Sequence, residues 1–493
     1  MKLTKILESI NYKLLQGNNE VDIEIIENDS RKVVECNKNT IFTCISGMKF
    51  DSHNIVNEII KNKNIKAILV EKDIFVDDKD ITIIKVENTR NTMPIICFNL
   101  YNNPQNNINV IGVTGTSGKT STTIVIETIL RNVGIQSAVI GTLGCRINKE
   151  PIPINKTTIT TPDSLELAKM FNYVNEQGVK CIVMEATSHA LSLNRVDMIN
   201  FEVGIFTNLG IEHLDFHKTQ EEYAEAKFKL FSLSKKAVIN IDDEFGKKFY
   251  NRINNQPKLS LSLENENADL YAYNINITPN GTYFDLKYDN KEYKNIFINL
   301  VGRFSVYNTL SAVATALLLN VKIDDIVSSL NRIDYISGRC ESVNNNKGIN
   351  IIIDYAHTAE QFENILKAMK QFTKNKLISL FGCGGDRDSL KRPLMGEVAG
   401  KYSDLVVVAE DNPRSEDSNI INSQIEVGLK KSGTEYKLFV NRKEAIEFAL
   451  SVAKEGDTFI MMGKGPEKYQ EYANAEKKYF CEREVVEEWL KNN

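Results

Sequence analysis

The run Val113-Thr114-Gly115-Thr116-Ser117-Gly118-Lys119-Thr120-Ser121 has the residue types and spacing of a loop that holds phosphate. Glycines let backbone N–H groups turn toward phosphate oxygens, and a helix opening behind the loop adds positive potential. In such a loop Gly115, Thr116, Ser117, Gly118 and Ser121 surround the phosphates, and Lys119 reaches the β- and γ-phosphates. The Thr120 hydroxyl sits on Mg²⁺. The spacing Gly115-x-x-Gly118-Lys119-Thr120 is a variant, because the strict G-x-x-x-x-G-K-[ST] pattern needs glycine at 113, where valine stands. A dinucleotide loop is excluded, since its G-x-G-x-x-G is not followed by Lys-Thr.

Two other polar clusters follow apolar runs. Met184-Glu185-Ala186-Thr187-Ser188-His189 ends one, and Asn208 to His217, with Glu212 and His213, ends another. In a parallel sheet, ligand groups gather at the carboxyl ends of strands, so Glu185 and His213 are candidates to reach a metal beside the nucleotide. Oxygen ligands suit Mg²⁺, and imidazole suits it less. The zinc-hydrolase spacing H-E-x-x-H does not occur, and His217 reads as a packing residue. His357, in Asp354-Tyr355-Ala356-His357-Thr358, stands at another strand end. Farther on, Gly382 to Asp388 presents Arg387, and Asp411-Asn412-Pro413-Arg414 presents a second guanidinium; the pair suits bidentate capture of carboxylates.

These residues need strands and helices to hold them. Ile108 to Thr116 reads as a buried strand, and Ile126, Ile129, Leu130 and Val133 as one apolar helix face. Further strands are expected at 137–140, 181–186, 203–208, 237–241, 349–354, 377–381, 405–409 and 458–462. A helix is marked by Phe362, Ile365, Leu366, Met369 and Phe372. Strands alternating with helices imply parallel sheets covered on both faces, an α/β fold. The polar, turn-rich stretches 101–107 and 344–348 suggest boundaries. We expect three domains: a small mixed α/β domain over 1–105, a central P-loop ATPase-like parallel sheet over 106–336, and a Rossmann-like domain over 337–493.

The 493 residues are 42% hydrophobic and 25% charged, as in soluble proteins with large cores. Sixty Lys and Arg against 65 Asp and Glu leave a net charge of −5, with no basic excess for a dedicated nucleic-acid binder. The eight cysteines include no C-x-x-C pair, so a structural zinc site is not expected and the thiols read as buried and reduced. The N-terminus lacks the apolar core of a signal peptide, and Leu310 to Val321 is too short to span a bilayer. A cytoplasmic protein without a membrane span is expected, with a monomer as the default state.

Taken together, the motifs resemble those of the Mur ligase family of ATP-dependent peptide-bond-forming enzymes, from about Asp29 to Glu484. The shared marks, in order, are Asp29-Ser30-Arg31, the loop at 115–121, Thr160-Thr161-Pro162-Asp163, Met184 to His189, Phe206-Thr207-Asn208-Leu209, Tyr223 to Lys227, Asn240 to Asp243, Asp354 to Thr358 and Gly463-Lys464-Gly465. Within the family the pattern is most similar to the branch that adds the third residue to UDP-N-acetylmuramoyl-L-alanyl-D-glutamate.

The resemblance implies ATP and Mg²⁺ as cofactors, and the UDP-N-acetylmuramoyl-dipeptide and meso-diaminopimelate as substrates. It puts Ser30 near the uridine diphosphate and Thr160, Thr161, Thr187 and Arg195 around the muramoyl-dipeptide. Asn308, Arg339 and Asp354 fall at nucleotide positions. Arg387, Asp411, Asn412, Pro413, Arg414, Gly463 and Glu467 fall where the incoming amino acid binds. Lys227 matches a carbamylated lysine that helps hold a second Mg²⁺ with Glu185 and His213. From the residues alone it would pass as a solvated helix lysine. The implied catalytic set is Lys119, Glu185, His213 and Lys227, and the implied metal set is Thr120, Glu185, His213 and carbamylated Lys227. The chain departs from the family pattern at Ile159, Thr187, Glu212, Pro466 and Cys481. Open alternatives are L-lysine or another amino acid as the added residue, another acceptor, and a catalytically silent ATP-binding protein. Asp29-Ser30-Arg31 argues against another acceptor; Lys119, Thr120, Glu185, His213 and Lys227 argue against silence.

Overall fold

The computed structural model describes residues 1–47 and 50–493. The chain divides into two compact units, Met1–Leu259 and Ser260–Asn493.

The first unit begins with a five-stranded sheet in the order Lys13–Gln16, Thr82–Lys85, Ile65–Val70, Thr40–Thr43, Ile25–Glu27. The last four strands are mutually parallel, and Lys13–Gln16 lies antiparallel on their edge. Ile65–Val70 is apolar nearly throughout because both of its faces are covered.

The central part of this unit is a parallel sheet in the order Ser234–Asn240, Phe201–Phe206, Asn109–Thr114, Cys181–Glu185, Ala138–Gly141. Two short antiparallel strands, Gly144–Ile147 and Glu150–Pro151, extend its far edge. Register sets Glu185 opposite Val113 and Phe206 opposite Thr114. The carboxyl ends of three neighbouring strands therefore meet at the glycine loop. Helix Ser164–Glu176 starts on a capping box, with the Asp163 carboxylate accepting from Glu166 N–H and Glu166 reaching back. Helix Gln220–Ser232 buries Tyr223, Lys227 and Leu230 toward the sheet.

The second unit carries antiparallel hairpin strands Leu270–Thr278, Gly281–Tyr288 and Lys291–Ile298. Helix Arg303–Leu318 contains most of the apolar stretch noted above, and it is buried in the protein. A six-stranded sheet follows in the order Glu341–Val343, Asn350–Asp354, Thr458–Met462, Leu377–Phe381, Leu405–Val408, Glu435–Leu438. All but the first strand are parallel. Separate apolar clusters, centred on Phe362, Phe381 and Met462 and on Ile351, Leu380 and Phe459, form its core.

The strands expected from sequence occur to within a few residues, and so does the helix at 359–370. The antiparallel hairpins at 270–298 were not anticipated. Among the described residues no helix is long and apolar enough to cross a membrane.

Candidate active site

Strand Asn109–Thr114 delivers the loop and helix Lys119–Asn132 leaves it. Gly118 caps that helix at φ +84, in left-handed backbone that favours glycine. Gly115 has φ +152, and a Cβ there would collide with the Thr207 hydroxyl. The loop is shaped from behind by the turn after Phe206. Thr116 N–H donates to the Asn208 carbonyl and Ser117 N–H to Asn208 Oδ1, both at 2.9 Å. Thr207 Oγ1 donates to the Ser117 carbonyl at 2.6 Å, and Gly210 N–H donates to Thr116 Oγ1 at 2.9 Å. Lys119 Nζ folds over the loop and donates to the Gly115 and Thr116 carbonyls at 2.8 Å each.

Thr120 Oγ1 donates to Glu185 Oε1 at 3.0 Å. Glu185 is buried and also accepts from Thr142 N–H at 2.7 Å and Thr142 Oγ1 at 3.1 Å. The Thr142 hydroxyl lies 3.1 Å from Thr160 Oγ1. Thr161 Oγ1 donates to the Glu185 carbonyl at 2.9 Å and accepts from Thr187 N–H at 3.0 Å. Arg195 Nη1 approaches the Thr161 carbonyl at 3.5 Å. Thr120, Thr160, Thr161, Glu185, Thr187 and Arg195 are thus brought together. Thr142 and Lys156, whose Nζ bonds the Gly141 and Ile159 carbonyls, join them without having been anticipated. Burial holds the Lys156 ammonium below the usual lysine range.

Lys227, far from being solvated, is 1% exposed. Its Nζ donates to the Gly115 carbonyl at 2.8 Å and lies 4.3 Å from the Tyr223 ring centre. Desolvation, aided by the Lys119 charge, pushes its pKa well below the usual lysine value. His213 takes left-handed backbone at φ +58, with its ring 4.9 Å from that of His189 and its Nε2 3.7 Å from Glu212 Oε2. His217 is buried against the Ser188 hydroxyl at 2.9 Å, the packing role expected of it.

The donor set suits Mg²⁺. Two oxygens, Thr120 Oγ1 and Glu185 Oε1, are adjacent, yet among the described residues no group of three or more His, Cys, Asp and Glu forms a protein cage. Mg²⁺ is commonly held by one or two protein oxygens together with substrate phosphates.

Ser30 opens a short 3₁₀ helix, Ser30–Glu35, capped by Asp29, which also pairs with Arg31 at 2.8 Å.

In the second unit, Asn308 is buried on helix Arg303–Leu318. Asp354 accepts from Cys340 N–H at 2.8 Å and Ala356 N–H at 2.7 Å. Burial raises its pKa, and the Arg339 charge opposes the rise. The turn Asp411–Arg414 faces Gly463 to Glu467. Buried Lys464 Nζ donates to Asn412 Oδ1 at 3.0 Å and Glu467 Oε2 at 3.2 Å, and Asn412 Nδ2 donates to the same Glu467 oxygen at 2.9 Å. Arg414 is aimed by the chain: its Nε donates to Glu471 Oε2 at 3.0 Å and its Nη1 to the Gly385 carbonyl at 2.8 Å. Pro413 and Asp411 are buried, while Arg387 is exposed. Lys464 and Glu471 are functional candidates missed from sequence; Lys464 sat inside a quoted motif but had no visible partner.

A phosphate loop whose threonine meets a carboxylate from the adjoining parallel strand marks a unit that binds a nucleoside triphosphate. Residues 113–316 match the Mur ligase middle domain, and residues 338–465 match the Mur ligase glutamate ligase domain. The chain belongs to the Mur ligase family. It is 41% identical to UDP-N-acetylmuramoyl-L-alanyl-D-glutamate–2,6-diaminopimelate ligase 1 of Clostridium acetobutylicum, covering 100% of this chain and 99% of that one. It is 42% identical to the corresponding ligase of Clostridioides difficile, covering 99% of both. A solved structure of a UDP-N-acetylmuramoyl-L-alanyl-D-glutamate–2,6-diaminopimelate ligase matches with a TM-score of 0.71 at 28% identity, covering 100% of this chain and 99% of that one.

Proposed function

We propose that this ligase adds meso-diaminopimelate to UDP-N-acetylmuramoyl-L-alanyl-D-glutamate in cytoplasmic peptidoglycan precursor synthesis. The observation that carries the reading is the contact of Thr120 with Glu185 beside Lys119, in a chain end-to-end similar to ligases of that name. The γ-phosphoryl group of ATP passes to the D-glutamyl γ-carboxylate, giving an acyl phosphate and ADP. The amine of the incoming amino acid attacks the acyl carbon, and phosphate leaves as the amide forms. Lys119 exchanges the loop carbonyls for phosphate oxygens and offsets charge spread over them during transfer. Gly115 to Gly118 and Ser121 surround the phosphates, and Asn308, Arg339 and Asp354 are assigned to the nucleotide.

Thr120 and Glu185 would hold Mg²⁺, with His213 and carbamylated Lys227 as further ligands. The ion, when bound, offsets the charge on the phosphate oxygens. The environment of Lys227 supports carbamylation, because only a neutral amine adds to CO₂, releasing one proton, and burial, with the Lys119 charge, lowers the pKa of this amine well below the usual lysine value. Ser30, Thr160, Thr161, Thr187 and Arg195 bind the acceptor. Arg387, Asp411, Asn412, Pro413, Arg414, Gly463 and Glu467 bind the amino acid. An Arg414 guanidinium favours a distal carboxylate and repels the side-chain ammonium of lysine, which supports diaminopimelate. Phosphate release measured with the UDP-linked dipeptide and each amino acid tests this: turnover with diaminopimelate is expected, and turnover with lysine alone would refute the assigned specificity.

A further inference from the structure

The four parallel strands of the N-terminal sheet end on one edge. Ser30 follows Ile25–Glu27, Ser46 follows Thr40–Thr43, Glu71 follows Ile65–Val70, and Asn88 to Arg90 follow Thr82–Lys85. In open parallel sheets ligands bind along this edge. Arg90 stands in the first turn of helix Thr89–Leu100, a turn without an acidic residue, where the helix dipole disfavours a cation. Its Nη2 donates to the Ser46 carbonyl at 3.0 Å.

The next residue, Asn91, accepts from Asn194 Nδ2 at 2.5 Å, and Asn194 precedes Arg195. The two arginines therefore share one neighbourhood. Arg90 is among the charges acting on Arg195, whose guanidinium is largely desolvated; Asp163 and Glu166 act on it in the opposite sense. Among the described residues neither Arg90 nor Arg195 is in an ion pair with a carboxylate. Two guanidiniums in one neighbourhood, neither in an ion pair, offer fork-shaped donors that a multidentate anion can engage together.

We propose that Arg90 acts with Arg195 to bind an anionic oxygen group of the UDP-linked acceptor, either its diphosphate or the glutamyl carboxylate that does not react. This rests on the acceptor assigned above and adds a binding residue from the N-terminal sheet.

Binding of uridine, UDP, UDP-N-acetylmuramate and the UDP-linked dipeptide is measured by calorimetry on the full-length protein and on Arg90→Gln and Arg90→Lys, with ADP as the control for folding. The expected result is unchanged ADP and uridine affinity and a loss of at least about tenfold in Arg90→Gln for charged ligands, smaller in Arg90→Lys. A loss beginning with UDP assigns the diphosphate, and a loss confined to the dipeptide assigns the carboxylate. Equal affinities in all proteins, or a loss as large for uridine as for UDP, would overturn the inference and leave Arg90 a support for the turn at Ser46. Failure of the unmutated protein to bind the dipeptide would instead remove the acceptor reading, and this inference with it.

Discussion

Lys227 Nζ donates to the Gly115 carbonyl at 2.8 Å, tying a buried helix lysine to the first glycine of the phosphate loop. Lys119 donates to the same carbonyl, so two lysine side chains converge on one oxygen. Burial first, and the Lys119 charge second, lower the proton affinity of Lys227, which makes chemistry at this amine sensitive to pH.

Raising pH through the lowered Lys227 pKa increases the neutral amine and hence carbamate formation from CO₂. Lowering pH protonates the amine and reverses it. For the uncarbamylated protein the native pKa lies below the unfolded one. The unfolded chain therefore binds the extra proton between the two values, and stability rises with pH across that window. Carbon-13 NMR after incubation with labelled bicarbonate should show a carbamate signal that Lys227→Ala lacks. Turnover lost in Lys227→Ala should be partly restored by short carboxylic acids. No labelled signal and no rescue would contradict the role.

Lys119→Ala should reduce turnover by about a thousandfold or more, because the cation we assign to the transferring phosphoryl group is removed. Thermal unfolding should change little, since Lys119 bonds carbonyls of a partly exposed loop. Single-turnover measurements check the first claim and calorimetry the second.

Arg414→Ala should raise KM for diaminopimelate by about tenfold or more while leaving KM for ATP unchanged. Glu471→Gln should act in the same direction but less, since its carboxylate orients Arg414 through Nε at 3.0 Å. Initial rates with varied amino acid decide this; unchanged kinetics in Arg414→Ala would refute its role.

The Arg392 side chain is fully buried and bonds Glu416 at 2.8 and 2.9 Å, holding the Glu416 pKa down at about 2. A depressed carboxylate pKa contributes stability above its unfolded value of 4.5 and loses it as pH falls toward 2. Glu416→Ala should cost about 3 kcal/mol at neutral pH, because a buried charge loses its partner. Urea unfolding of both proteins at several pH values should show the difference shrinking as acid is added.

Local signals were legible in the sequence. The glycine loop, the β-branched runs and the helix at 359–370 depend on neighbours in the chain, and their spacing marks them. Lys227 was not legible from the residues, because its burial arises from the fit of helix Gln220–Ser232 under a loop over a hundred residues away. Arg90 and Glu471 escaped for the same reason: each matters through a partner that only folding supplies. Buried Arg442, paired at 2.7 Å with Glu482, escaped likewise. In the antiparallel strand Gly281–Tyr288 buried Phe284 and Leu286 alternate with half-buried residues, but the strand sits in a polar stretch that masks the pattern.

The most direct test couples two readouts in one reaction: ADP release and mass-spectrometric detection of the UDP-linked tripeptide, with ATP, Mg²⁺, the UDP-linked dipeptide and meso-diaminopimelate supplied. The account predicts one new amide for each ATP consumed, and neither product when the dipeptide is omitted. Hydrolysis of ATP with no amide formed, whichever amino acid is offered, would contradict it.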